Sequence, residues 1–215
     1  MTTRPSSVRK RAAILAAAEH AFLGGGYASV TMDDIAERSG VAKQTVYAHF
    51  GSKDALFVDL VMTMTREAGD PVYADPPVVE DLQGLTNLLE RNLGRQLDIV
   101  LTSRLLQLRR LVIGEVSRFP ALASALAEHG PQRAIGAIAG QLAEASRQGM
   151  IAVTHPREAA SQLNWLVMGA PLNDAMLLGD QAVPTADKRR EHVRRAVATF
   201  MAAYAQPGDR RAVSQ

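Results

Sequence analysis

The chain has 215 residues, 47% of them hydrophobic and 21% charged, with 16 Gly and 10 Pro, a composition that excludes a disordered or collagenous protein. Cysteine is absent, which rules out disulfide scaffolds, thiol nucleophiles and Cys-ligated metal sites. Formal net charge is only +2, yet residues 1–53 carry seven basic side chains against four acidic ones, so a polyanion contact at that end and ordinary charge scatter both fit.

Arg9, Lys10 and Arg11 precede an alanine-rich run and so imitate an export signal. Glu19 and His20 interrupt that run, however, and Ile14, Ala17, Ala18, Ala21 and Phe22 recur at helical spacing. The spacing predicts an amphipathic helix over 6–23, ended by Gly24, Gly25 and Gly26. No apolar stretch approaches the roughly 20 residues of a membrane span, so a cytoplasmic protein without a membrane partner is expected. Two short helices follow over 32–39 and 43–49, then a longer one over 53–68 capped by Ser52. The segment 69–77 holds one Gly, three Pro and two Asp and reads as a linker. Further helices are predicted over 79–101, 103–118, 120–129, 131–148, 156–169 and 185–205, several with Pro at the first helical position. A polar tail occupies 207–215. Strand-like alternation is missing, so the fold class is all-α. The chain divides into a short-helix unit at 1–51, a connecting helix at 52–69, a larger helical domain at 70–206, and the tail.

Residues 31–50, TMDDIAERSGVAKQTVYAHF, carry the functional signal. Thr31 with Asp34 three residues later resembles a capping box. Ile35 and Ala36 are the inward positions of the first short helix, and Ala36 is small where two helices cross closely. Gly40 stands where the chain needs a left-handed turn. Val41, Val46 and Phe50 supply the inner face of the second short helix, and the pair reads as a helix-turn-helix packed on the first helix. Lys43, Gln44, Thr45, Tyr47 and His49 then point outward. Such a helix fits the major groove, with Gln44 suited to adenine edges and Lys43 to guanine. Thr45, Tyr47 and His49 suit phosphate oxygens, as do Thr31 and Lys53 at the starts of neighbouring helices. Taken singly, each of these side chains is as readily an ordinary solvated one; their joint spacing carries the reading.

The stretch from Arg9 to Val61 resembles the N-terminal domain of the TetR/AcrR family of bacterial one-component transcriptional regulators. The matching residues are Ile14, Ala17, Ala18, Phe22, Gly26, Tyr27, Thr31, Ile35, Ala36, Gly40, Val41, Thr45, Tyr47, His49, Phe50, Ser52, Lys53 and Leu56, and the run VAKQTVYAHFGSKDALF is particularly specific. Ala42 and Gln44 depart from the commoner Ser and Gly, which bears on base preference. The run RRLVIGEVSRFPAL is similar to the AefR-like branch. The resemblance implies about nine helices, a homodimer on a palindromic double-stranded DNA operator, repression as the usual outcome, and an unidentified small-molecule effector. No cofactor is implied.

The last helix carries an apolar stripe of Val193, Ala196, Val197, Phe200, Met201 and Tyr204, joined by Leu163 and Val167 from the helix before it. Periodicity alone fits a dimer interface or the subunit's own core; the resemblance favours the dimer interface. A ligand pocket is expected between the helices of 79–148, lined by Leu89, Leu105, Leu108, Val112, Ile138 and Leu142, with Trp165 nearby. Arg109, Arg110 and His129 are candidate polar anchors. No enzyme is indicated: the five His show no metal-ligand spacing, and HExxH, GxSxG and a phosphate-binding GxxxxGK are missing. The alternative function is an all-helical small-molecule-binding protein without specific operator binding.

Overall fold

The computed structural model describes residues 5–73 and 79–204; the tail at 207–215 and most of the second half of the expected linker lie outside them. The fold is all-α, and among the described residues no strand forms. In chain order the helices are α1 (Pro5–Gly25), α2 (Met32–Ser39), α3 (Lys43–Phe50), α4 (Lys53–Tyr73), α5 (Leu82–Val100), α6 (Ser103–Glu115), α7 (Pro120–Ala127), α8 (Arg133–Arg147), α9 (Pro156–Leu178) and α10 (Ala186–Tyr204). A π-helical turn at Glu128–Gln132 joins α7 to α8 without a break, so the described residues hold nine helices when that stretch is taken as one. Pro131 has no N–H to give to the preceding turn, and it sits inside the widened turn.

The chain divides into two compact units. The first comprises the described residues up to Thr65 together with Gln107–His129; the second comprises Arg66–Leu106 and the described residues from Gly130 onward. In the first, α1 packs on α2 and α2 on α3 around Ile14, Ala18, Phe22, Ile35, Ala36, Val46 and Phe50, all buried. In the second, α5, α8, α9 and α10 share one apolar core that includes Leu89, Leu93, Leu97, Ile138, Leu142, Leu163, Val167 and Phe200.

Helix α2 begins as its sequence specifies. The Asp34 N–H donates to the Thr31 hydroxyl oxygen at 3.2 Å, and the Thr31 N–H donates back to the Asp34 carboxylate at 2.8 Å. The Thr31 hydroxyl also donates to that carboxylate at 2.7 Å. Both hydrogen bonds to the charged form hold the Asp34 carboxyl below its ordinary range, the hydroxyl's being the larger effect.

Two helices run past their expected ends. Helix α4 continues through Gly69–Tyr73, where a loop was expected. Helix α9 continues past Gly169 and through Pro171 to Leu178. Proline at 171 removes the N–H that would bond the carbonyl four residues earlier, that of Val167. The His192 ring of α10 supplies the replacement, its Nε2 lying 2.8 Å from the Val167 oxygen.

The expected dimer stripe needs a correction. Leu163, Val167, Val193, Val197, Phe200 and Met201 are buried within their own chain, in the α5–α8–α9–α10 core. Tyr204 is half-buried, its ring lies tilted with its centroid 4.6 Å from that of Phe200, and its hydroxyl donates to Gln162 Oε1 at 2.8 Å. The six buried side chains are therefore core residues, because their apolar surface is already spent inside the subunit.

Two expectations follow. The folded-state pKa of Asp34 is depressed, so its contribution to stability is complete above the ordinary aspartate value and disappears as pH falls through the lowered one. The destabilisation caused by Asp34→Ala, read from urea midpoints, should therefore be largest near neutrality and shrink below about pH 4. Leu163→Ala, which opens a cavity in the core, should lower unfolding free energy by about 2–5 kcal/mol in urea titrations.

Candidate nucleic-acid interface

The site is built on a helix of eight residues, too short to hold together alone in water. Its back is anchored by Val46 and Phe50, 0% and 6% exposed, as the spacing predicts. Gly40 ends α2 at φ +67°, and its N–H bonds the Glu37 oxygen at 3.2 Å while that of Val41 bonds the Ala36 oxygen at 3.3 Å. Gly51 closes α3 at φ +72°, its N–H on the Tyr47 oxygen at 2.8 Å. Glycine adopts both conformations cheaply. The tight turn between α2 and α3 follows from these bonds and from Ala36, buried where the two helices meet.

The outward face then presents Lys43, Gln44, Tyr47 and Ala48, all exposed, with Thr45 and His49 half-buried along its edges. Among the described residues nothing engages the Gln44 amide. At the start of α3, Ala42 gives no side-chain cap, so the first-turn N–H groups remain without a side-chain acceptor. Lys43 is less free than the sequence implies. Its ammonium lies 2.8 Å from Asp33 on α2 and 5.9 Å from the centroid of the Tyr47 ring. The hydrogen bond to Asp33 raises its pKa, so the charge is kept throughout the physiological range. A salt bridge this exposed is worth little, and a phosphate or a base edge competes with it readily.

Thr31 and Lys53 stand at the starts of α2 and α4, and Lys53 is close enough to feel the Asp34 charge. Lys53 is half-buried, its ammonium 4.4 Å from the centroid of the Tyr27 ring. Burial lowers its pKa, offset in part by Asp54 and Glu115. Ser52 caps α4, its hydroxyl oxygen accepting from the Ala55 N–H at 3.1 Å. All seven expected DNA-facing residues thus fall on α3 or on the starts of the helices either side of it.

Sequence reasoning missed what lies behind them. Tyr27, 4% exposed, donates its hydroxyl to Asp54 and packs against Phe22, Phe57 and Phe119. Burial, then the Asp54 carboxylate, pushes its pKa well up, so the phenol stays a donor. Arg11 pairs with Asp59 at 2.8 Å and lies 5.4 Å from the centroid of the Phe50 ring. Asp33, which the sequence suits to a helix start, also holds Lys43. Apart from Tyr27 on Phe22, these contacts join residues from 10 to 92 positions apart, and no local pattern announces them.

The expected pocket residues are divided between the two units. Leu108 and Val112 are buried in the first unit, as part of Gln107–His129, whereas Leu89, Ile138 and Leu142 are in the core of the second. Leu105 is half-buried. Trp165 is 45% exposed on the outer side of α9, so it belongs to a surface and not to an interior lining. Arg109 is half-buried on α6, where desolvation lowers its pKa; Arg110 is engaged within the chain, and His129 lies in the π turn.

Comparison with known proteins agrees with this geometry. Residues 14–60 match the family model described as bacterial regulatory proteins of the tetR family, and residues 87–206 match that of the AefR-like transcriptional repressor C-terminal domain. A solved TetR-family transcriptional regulator from Mesorhizobium loti is 30% identical with a TM-score of 0.82, covering 95% of this chain and 100% of its own. The flavonoid-responsive regulator FrrA is 29% identical with a TM-score of 0.76, covering 93% and 99%. Among curated relatives, the regulator EthR of Mycolicibacterium smegmatis is 33% identical over 67 residues, 31% of each chain. TtgR of Pseudomonas putida is 43% identical over 68 residues, 32% of each chain. These curated matches span about a third of the relatives' length. With one family model on the short outward helix and another over more than half of its length, the chain belongs to the TetR family of bacterial transcriptional regulators and carries an AefR-like C-terminal domain.

Proposed function

We propose that the protein is a homodimeric, ligand-responsive repressor that works in the cytoplasm and binds a palindromic operator, with α3 of each subunit in the major groove. The observation that carries this reading is the division of α3 into a buried back, Val46 and Phe50, and an outward polar face. In this arrangement Gln44 and Lys43 read base edges. Thr31, Thr45, Tyr47, His49 and Lys53 hold phosphates and so fix the register. Repression is supported by the match of 87–206 to a repressor C-terminal domain, and a small organic effector by the likeness to a regulator named for its response to flavonoids. The effector acts by binding one of two dimer geometries better than the other, which shifts the population away from the spacing that fits the operator. No helix of the described residues is long and apolar enough to cross a membrane.

The proposed dimer surface is on the outer faces of α9 and α10, a choice supported by the burial of the inner stripe in the subunit's own core. Trp165, Leu166, Ala170 and Leu177 are exposed along one side of α9, Trp165 at 45% and Leu177 at 74%. On α10 the exposed side includes Ala198, Thr199 and Ala202, small enough for another helix to approach closely. A two-fold axis across these faces makes a self-complementary four-helix contact.

A gel shift with DNA from upstream of the gene tests the reading: a sequence-selective, salt-sensitive shift is expected, and its absence would favour a small-molecule-binding protein that engages no operator. Gln44→Ala should weaken the preferred operator by about 1–3 kcal/mol and flatten base preference. Lys53→Ala should instead weaken all sequences about equally and reduce the slope of log affinity against log salt by about one. Reversal of the two patterns would reverse the roles. The double variant Trp165→Glu/Leu166→Glu should sediment as a monomer, keep its helical circular dichroism and lose operator binding; a variant that stays dimeric moves the interface off α9.

A further inference from the structure

The core of the second unit contains polar groups that stability alone does not favour. Gln96 on α5 donates from Nε2 to Asn164 Oδ1 on α9 at 3.1 Å, and the two residues are 9% and 1% exposed. Asn92, one turn earlier on α5, is buried as well. Leu93, Leu97, Leu163 and Val167, on the same two helices, are all members of one apolar cluster. Two side-chain oxygens of the unit are shut away from solvent with no donor among the described residues: Gln96 Oε1 and, on α8, Gln141 Oε1. Gln141 is flanked by Ile138 and Leu142 of the same cluster, and α8 packs along α9, the helix of Asn164.

An amide oxygen buried without a donor is destabilising, and a Leu or Met of similar volume removes the penalty. Violations of this kind gather at functional sites. As placed, the Gln96 amide gives Nε2 to Asn164 and leaves its acceptor, Oε1, over. The polar side chains buried in this unit are neutral amides, and no Lys, Arg, Asp or Glu is buried among the described residues. No fully buried Lys, Arg, Asp or Glu stands ready to pair with a charged guest, and a wholly apolar one would leave both oxygens unsatisfied.

We propose that the core between α5, α8 and α9 receives the effector, and that the effector is an uncharged, largely apolar molecule whose hydroxyl or N–H groups donate to Gln96 Oε1 and Gln141 Oε1. Asn164 is the positioning residue that holds the Gln96 amide in its accepting orientation. This inference rests on the ligand-responsive reading above and names the chemistry of its ligand.

Three probes of one shape separate the cases: 4,4′-dihydroxybiphenyl, 4,4′-dimethoxybiphenyl and biphenyl-4,4′-dicarboxylate, titrated calorimetrically into the full chain. The diol is expected to bind, roughly tenfold or more tightly than the dimethyl ether, with the dicarboxylate weaker still. Gln141→Met should raise the melting temperature of the ligand-free protein while cutting diol affinity several-fold. Gln96→Leu/Asn164→Leu, which removes both partners of the buried bond, should abolish the preference for the diol over the ether. No binding of the diol, equal binding of diol and ether, tighter binding of the dicarboxylate, or unchanged diol affinity in both variants would each overturn the proposal. The operator gel shift run on the same samples keeps the two readings apart: a retained shift with no response to the diol sinks the ligand assignment alone, and a missing shift sinks the regulator reading.

Discussion

The constraint on which this structure depends is the bracing of an eight-residue helix that has no stability of its own. Val46 and Phe50 are withdrawn from water, and Ile35 and Ala36 of α2 are buried in the same unit. Burying two large apolar side chains is worth on the order of 3–6 kcal/mol, enough to offset much of the entropy of ordering so short a segment. That anchoring leaves the opposite face with no structural duty. Gln44, Tyr47 and Lys43 are consequently available for chemistry, because nothing in the fold requires them to be apolar.

Charge around the helix is organised by the same unit. Three cations near the site each have an internal partner: Lys43 has Asp33, Arg11 has Asp59 and the Phe50 ring, and Lys53 has the Tyr27 ring. Exposed pairs of this kind contribute little to stability. Their effect is to set where long, flexible side chains rest, so that less freedom is lost when a phosphate arrives. Tyr27 matters most in this respect. Its hydroxyl is tied to Asp54 and its ring to Phe22, Phe57 and Phe119, which makes a firm floor under Lys53.

The fold was legible wherever the determining interactions are local. The Thr31–Asp34 box, the left-handed Gly40 and the spacing of Ile35, Val46 and Phe50 involve neighbours within a few turns, so the residues announce the structure. Helix ends were legible only where nothing distant intervened. The helix expected to end at 169 runs on through Pro171, and the Val167 carbonyl orphaned there is taken up by His192, remote in sequence. The stripe of Val193, Val197, Phe200 and Met201 shows the same limit in another form. Periodicity reports that one side of a helix is covered, and whether the cover is the same chain or a second copy is a matter of tertiary packing. Likewise Leu89 and Leu108 look alike in the sequence but lie in different units, and Gln96, buried on α5, carried no sign of its role among so many polar residues on helices.

Guanine N7 protection against methylation, mapped on operator DNA bound to the full chain, tests most directly whether the outward face of α3 lies against base-pair edges. The account predicts protection confined to two major-groove patches about one helical turn apart, roughly 34–36 Å between centres, which disappears in salt concentrations that release the protein. Protection of a single patch, of the minor groove alone, or none in a complex that demonstrably forms would contradict it.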